Sequence, residues 1–224
     1  MRSLWALILI LVLGGAAAAF YSAFDRKPEA PSAPPAPPKG AEPTLPTSEM
    51  WPPAKIVAGK AERKDGAWVL DGQYRVPGAG TADDPFVVPF ELLMSAGDVY
   101  DPRKGLTKMP QRVAFLHGQH VRITGYIAFP ITATDAHQML VMFNQWDGCC
   151  IGVPPTTYDS IETNLAKAAE GDEKLVTYAT VTGVLKVDPY VDNGWLLGLY
   201  VLDQATFVNA DDASPAAQPA PLED

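Results

Sequence analysis

Cys149 and Cys150 stand side by side and are the only cysteines in a chain of 224 residues. A thiolate is both a nucleophile and a soft metal ligand, so an adjacent pair is the first place to look for chemistry. His137, Met139 and Met142 lie shortly upstream. Together with the thiols they make a soft ligand set suited to Cu(I) or, through His137, Cys149 and Cys150, to zinc. The spacing matches no zinc-finger pattern. Met139 and Met142 have opposite parity on a strand and cannot both face one ion, so the core is the expected place for both. The flanking residues supply rigidity: an Asp147-Gly148 turn precedes the thiols, and Gly152 followed by Pro154-Pro155 comes after them. Each proline holds its own φ and restricts the residue before it. Gly148, Gly152, Pro154 and Pro155 therefore frame a candidate binding loop that needs no ligand to order it.

What the thiols do stays open at this level. A regular strand sends neighbours to opposite faces, so Cys149 and Cys150 are expected to sit in different environments. One arrangement packs a thiol as a small hydrophobe. A second uses the pair as a metal or thiol-redox site, and a third closes a vicinal disulfide, which requires an unusual eight-membered ring. His117 and His120 form a His-x-x-His pair near a strand start, where a surface position is the ordinary outcome. No Gly-x-Ser-x-Gly, His-Glu-x-x-His or nucleotide-cradling glycine loop occurs. Asp83-Asp84, Asp101 and Asp188 read as turn residues. No catalytic residues are assigned, and the chain does not read as an enzyme.

The rest of the chain says where such a site would work. Arg2 precedes an apolar run from Leu4 to Phe20, extended through Phe24 and ended by Asp25-Arg26-Lys27, about 20 residues and enough to span a bilayer. Residues 1–24 are thus an N-terminal membrane helix that anchors the chain, or a signal peptide cleaved after the small residues Ala16 to Ala19. No cysteine follows the run, so a lipid anchor is excluded. The expected location is the cell envelope with the folded part on the extracytoplasmic side; cleavage would release it to the periplasm. Residues 25–53 form a Pro-rich linker, with ten prolines between Pro28 and Pro53. In polyproline II it would reach about 80 Å. Residues 54–209 are the globular domain, and residues 210–224 an acidic disordered tail. Formal charge is −9, from 17 basic and 26 acidic residues, and there is no basic stripe. That argues against nucleic acid and against tight adhesion to an anionic membrane surface.

The elements that must position the loop are mostly strands. Ala67–Leu70 and Gln73–Val76 flank Asp71-Gly72, a hairpin signature. Pro89–Ser95 reads as a short helix ended by Gly97, and Asp98–Pro110 as a surface loop. His120–Ile127 alternates Val121, Ile123, Gly125 and Ile127 against polar neighbours, a period of two. Met139–Phe143 is a second strand of the set. Ser160–Leu165 is a third, with a helix over Ser160–Glu170 as its competitor. Leu175–Val187 alternates most clearly of all, and Asp192-Asn193-Gly194 turns it into Trp195–Leu202, where Gly198 marks a bend. This five-strand set predicts a mainly β fold, a small OB-like partly closed β-barrel with short helices.

Residues Gly118–Tyr126, Cys149–Pro155, Val181–Leu185 and Leu199–Leu202 together resemble the bacterial family called domain of unknown function 3299, over roughly residues 89–208. The most specific element is the cysteine-glycine-Pro-Pro stretch after the Val-x-Ile-x-Gly-Tyr strand. The resemblance implies an exported, membrane- or lipid-anchored OB-like domain with no established enzymatic activity, and an association of some relatives with metal-transport systems. The functional expectation is a membrane-tethered extracytoplasmic binding or accessory module, partnered by the membrane and by another envelope or transport protein. The alternative is a cysteine-dependent copper, zinc or thiol-redox protein.

Overall fold

Where side chains alternate in and out with a period of two, a strand can bury one face, and β8 (Gln119–Ala128) does so: Val121, Ile123, Gly125 and Ile127 are buried while their neighbours are not. The computed structural model describes residues 55–130, 136–146, 148, 150 and 152–210. The apolar run, the Pro-rich linker, Asp147, Cys149 and residues 211–224 lie outside the described residues.

Four further strands share the core with β8: β9 (Ala136–Met142), β10 (Ser160–Ala169), β11 (Tyr178–Asp192) and β12 (Trp195–Asn209). Their pairing runs β8 to β9 to β10 to β12 to β11 and back to β8. All contacts are antiparallel except β10 with β12. A ring of five strands with one parallel seam is an OB-type Greek-key barrel. It is only partly closed, because β8 meets β9 over three residue pairs, Tyr126↔Met142 to Ala128↔Leu140. Inside lie Val121, Ile123, Val141, Ile161, Val181, Leu185 and Leu202, each at most 1% exposed. Met139 and Met142 are both buried, as their apolar character predicts. Ser160 onward forms a strand and not the competing helix, since Ile161, Thr163 and Leu165 fall on one face and enter the core. Leu175 lies in a 3-10 turn (Gly171–Leu175) and is 75% exposed, so the clear alternation begins later than its sequence pattern.

Strand β12 carries one extra residue where both neighbours shift register: Thr182 faces Thr206 while Val184 faces Asp203. Gln204 takes φ +54 there, a left-handed bulge. Gly183 makes room for it, because a Cβ at 183 would lie 2.7 Å from the Asp203 carbonyl oxygen. The bulge also aims Asp203 at Lys186 on β11 and at Asn164 on β10, whose Nδ2 donates to it at 2.7 Å. Asn164 accepts in turn from Gln138 on β9 at 3.0 Å. One polar ladder thus crosses four strands, including the parallel seam.

The remaining elements share the barrel's core through Leu70, Val76, Phe86, Leu92, Phe115 and Leu116. The Asp71-Gly72 hairpin joins β3 (Ala67–Leu70) to β4 (Tyr74–Pro77), with φ +53 and +73 at those two residues, but Gln73, expected in the strand, belongs to the turn and makes it three residues long. A strand the alternation does not reveal, β2 (Ala61–Lys64), completes that sheet. Pro89 leads into α1 (Phe90–Met94) as expected, but a 3-10 turn carries it on to Asp98, past Gly97. The expected surface loop over Asp98–Pro110 is instead structured. It holds β6 (Tyr100–Asp101), a 3-10 turn at Pro102–Lys104 and β7 (Leu106–Pro110). β7 pairs in parallel with β1 (Lys55–Val57), and that partner, distant in the chain, turns a polar stretch into a strand. Short α2 (Gln111–Ala114) follows, and β5 (Phe86–Val87) adds to β8. Arg112 ties these pieces together. Its guanidinium donates to Ser95 Oγ at 2.7 Å, to the Ser95 carbonyl at 2.9 Å and to Asp71 at 3.0 Å.

Candidate functional site

The excursion from β9 to β10 carries the cysteines. Two backbone hydrogen bonds pinch it: Phe143 N–H donates to the Asp159 carbonyl at 3.0 Å, and Val153 N–H to the Gln145 carbonyl at 3.1 Å. Trp146 and Gly152 pair across the second pinch. The stretch between them is therefore a small loop whose ends touch, with Cys150 exposed on it. Gly148 and Gly152 take φ +91 and +90. Position 152 admits no side chain, as a Cβ there would lie 1.7 Å from the Gln145 carbonyl oxygen.

The descending limb is held by polar bonds. After Pro154 and Pro155, the buried Asp159 accepts from the backbone N–H and the hydroxyl of Thr156. Tyr158 donates its hydroxyl to the Tyr100 carbonyl at 2.7 Å. The first pair closes a tight turn ahead of β10, and the Tyr158 hydroxyl ties that turn to β6.

Beside the ascending limb lies a cleft of about 380 Å³. Tyr126 and Phe129 at the end of β8, Met142, Gln145, Trp146 and Lys174 contribute to its wall. The volume is near the lower end of the range of small-molecule sites, and the cleft stands open to solvent with both apolar and polar groups on its wall. Gln145 and Trp146 belong both to the cleft and to the closure of the cysteine loop, so a ligand in one would touch the other. Tyr126 closes the Val-x-Ile-x-Gly-Tyr stretch, but no sequence pattern marked it, Phe129 or Lys174 as lining a cleft. They reach the cleft only because β8 ends beside β9 and the 3-10 turn at Gly171–Leu175 leads into β11.

His137 is exposed near the start of β9. Met142, from which the loop departs, is five residues on, about 17 Å of strand. Among the described residues no three histidine, cysteine, aspartate or glutamate side chains come together to hold a metal ion. The two histidines of His-x-x-His are also separated in role. His117 precedes β8 and accepts from Val187 N–H on Nδ1 at 3.2 Å, while His120 lies within the strand opposite Val184. Partial burial of the His117 ring holds its pKa below the usual histidine value. Asp101, expected in a turn, is the last residue of β6 and caps the 3-10 turn that follows, accepting from Arg103 N–H and pairing with Lys104 at 2.9 Å. Asp188, also expected in a turn, lies within β11.

No family model matches the chain, and no curated protein matches it significantly. Among solved structures, it is similar to that of a DUF3299 family protein from Pseudomonas aeruginosa PAO1. The two are 22% identical, with a TM-score of 0.32. The match covers 42% of this chain and 63% of that one, so less than two thirds of the relative is spanned.

Proposed function

We propose that this chain is a non-catalytic extracytoplasmic binding module that seats a small ligand in the cleft beside the cysteine loop. In this reading residues 1–24 hold it at the cell envelope, or are cleaved to leave it in the periplasm, and an envelope or transport protein receives what it binds. Among the described residues no helix is long and apolar enough to cross a membrane, so the tether rests on the apolar run at the start of the sequence. The observation that carries the proposal is the sharing of Gln145 and Trp146 between the cleft wall and the closure of the loop. Occupancy of the cleft then changes the loop, and a partner reading the loop senses the ligand.

The exposure of Cys150 on a pinched loop favours a second reading, a copper, zinc or thiol-redox site built on Cys149 and Cys150. The two separate experimentally. The full chain, isolated from its own envelope in neutral detergent, is analysed by native mass spectrometry and for metal content. It is compared with Trp146→Ala and with the double variant Cys149→Ser, Cys150→Ser. The binding reading expects an organic molecule that survives loss of both thiols and is lost from Trp146→Ala. A bound metal that disappears with the thiols and persists in Trp146→Ala would establish the second reading instead. Neither molecule nor metal would sink both.

A further inference from the structure

The polar groups around the cleft beside the cysteine loop are mostly donors. Lys174 is the one charged residue on its wall among the described residues, and no described carboxylate lines it. Lys174 is half-buried, while Asp172, Glu173 and Leu175 around it are exposed. The 3-10 turn keeps an acid for its own closure: the Glu173 carboxylate accepts from Glu170 N–H at 2.9 Å, as part of a capping box. Tyr126 and Thr177 add hydroxyls and Trp146 an indole N–H, each a donor. Two carbonyls beside them are already engaged. Thr177 accepts from Ile127 N–H at 2.9 Å, and Gln145 from Val153 N–H at 3.1 Å.

The apolar part of the wall is aromatic. Tyr126 and Phe129 at the end of β8 and Trp146 on the loop bring three ring systems to a cleft of about 380 Å³. The Tyr126 ring packs against Tyr178 with ring centres 5.0 Å apart, and the Phe129 ring against Phe207 at 5.8 Å. Neither Tyr178 nor Phe207 lines the cleft, so these two contacts fix the rings without filling the space. Trp146 is held at its backbone by the pairing with Gly152. Rings fixed before a ligand arrives need little further ordering when it binds.

We propose that the ligand of this cleft is a small aromatic carboxylate, its ring set among Tyr126, Phe129 and Trp146 and its carboxylate on the Lys174 ammonium. Such a contact is a charge-assisted hydrogen bond, stronger than one between neutral groups. A cationic ligand meets no described carboxylate here, and a neutral aromatic one gains the rings but little from Lys174. The formal charge of −9 does not steer an anion inward, so recognition depends on contact at Lys174 and not on long-range attraction. The inference rests on the reading of the cleft as a ligand site and adds the chemical class of what it holds.

The test titrates the full chain in neutral detergent by calorimetry, against detergent blanks, with indole-3-acetate, indole-3-acetamide, tryptamine and acetate. Indole-3-acetate is expected to bind, the amide roughly tenfold more weakly, tryptamine more weakly again, and acetate without measurable heat. Lys174→Gln should bring the acid down to the level of the amide and leave the amide unchanged, while Lys174→Arg keeps the preference for the acid. Trp146→Ala should weaken acid and amide alike, and circular dichroism melts confirm that each variant is folded. Amide or tryptamine binding as tightly as the acid, and lost from Trp146→Ala, would overturn the carboxylate class and leave the cleft reading standing. A preference for the acid that survives Lys174→Gln would overturn the inference. So would binding of the acid that neither Lys174→Gln nor Trp146→Ala weakens, or no binding of the acid at all. In those cases the molecule sought by native mass spectrometry of the isolated chain decides the cleft reading separately.

Discussion

Gly148 and Gly152 offer a matched pair of substitutions that isolates the pinch of the cysteine loop. Both have φ near +90°, where an L side chain is strained by about 1–2 kcal/mol. They differ in what surrounds them. A Cβ at 148 meets nothing within 4 Å, whereas at 152 it would lie 1.7 Å from the Gln145 carbonyl oxygen and 2.6 Å from its carbon. Gly148→Ala therefore costs about 1 kcal/mol. Gly152→Ala adds a backbone clash of about 1–3 kcal/mol and the Val153 to Gln145 hydrogen bond, worth about 1 kcal/mol, for a total near 3 kcal/mol or above. The chain escapes that cost by opening the loop. Gly152, Val153 and Pro154 are exposed, so opening uncovers little core and global stability should fall by less than about 1 kcal/mol. The ratio of open to closed forms of residues 144–153 should rise on the order of a hundredfold. Amide exchange read by mass spectrometry over 144–153, beside urea unfolding of the whole domain, measures both quantities. Equal protection of the loop in the two variants would refute the reasoning, as would global unfolding of Gly152→Ala.

Three further outcomes follow from the core and its ties. Arg112→Ala should cost about 3 kcal/mol in urea unfolding, because it strands the Ser95 carbonyl and the Asp71 carboxylate; Arg112→Lys, which cannot reproduce the fork, should recover less than half. Val181→Asp should unfold the domain by burying an unpaired charge, since Val181 is fully buried, while Thr182→Asp, half-buried and opposite Arg122, should leave a cooperative melt by circular dichroism. Tyr200 is fully buried with its hydroxyl donating to the Leu93 carbonyl at 2.7 Å, and burial raises its pKa well above 10.0. The unfolded state then loses the proton first, so this contribution to stability is complete below about pH 10 and is lost as pH rises further. Tyr200→Phe should flatten that alkaline loss while costing about 1–2 kcal/mol at neutral pH from the stranded carbonyl. An unchanged slope of stability against pH above 10 would count against it.

Local patterns carried far in this chain, and pairing between distant segments decided the rest. The alternation of Val121, Ile123 and Ile127 and of Ala179, Val181, Leu185 and Val187 needed no partner to be legible, because side-chain direction along a strand is a property of the strand itself. Asp71-Gly72 and Asn193-Gly194 announced their turns for an equally local reason, as few residues tolerate positive φ. Gly148 and Gly152 likewise take positive φ, as glycines placed in a turn can. Asp98–Pro110 was misread as surface loop because its strand β7 is completed by Lys55–Val57, a partner no local window contains. Arg112 gave no signal either, since its partners come from the Asp71 hairpin and from the end of α1.

By itself, then, the sequence determined which segments could be strands, which faces they would bury and where the backbone had to turn, because each of these depends on neighbours a few residues apart. Only the tertiary structure decided that Ser160–Ala169 is a strand and not a helix, that the barrel closes through a parallel seam, and that β10 and β12 begin to pair only at Glu162 and Val201. It also decided the cleft, whose wall combines the end of β8, the start of the cysteine loop and Lys174. The physical reason is common to all four. Inter-strand hydrogen bonds and shared burial act across space between residues far apart in the chain, and composition or periodicity records neither.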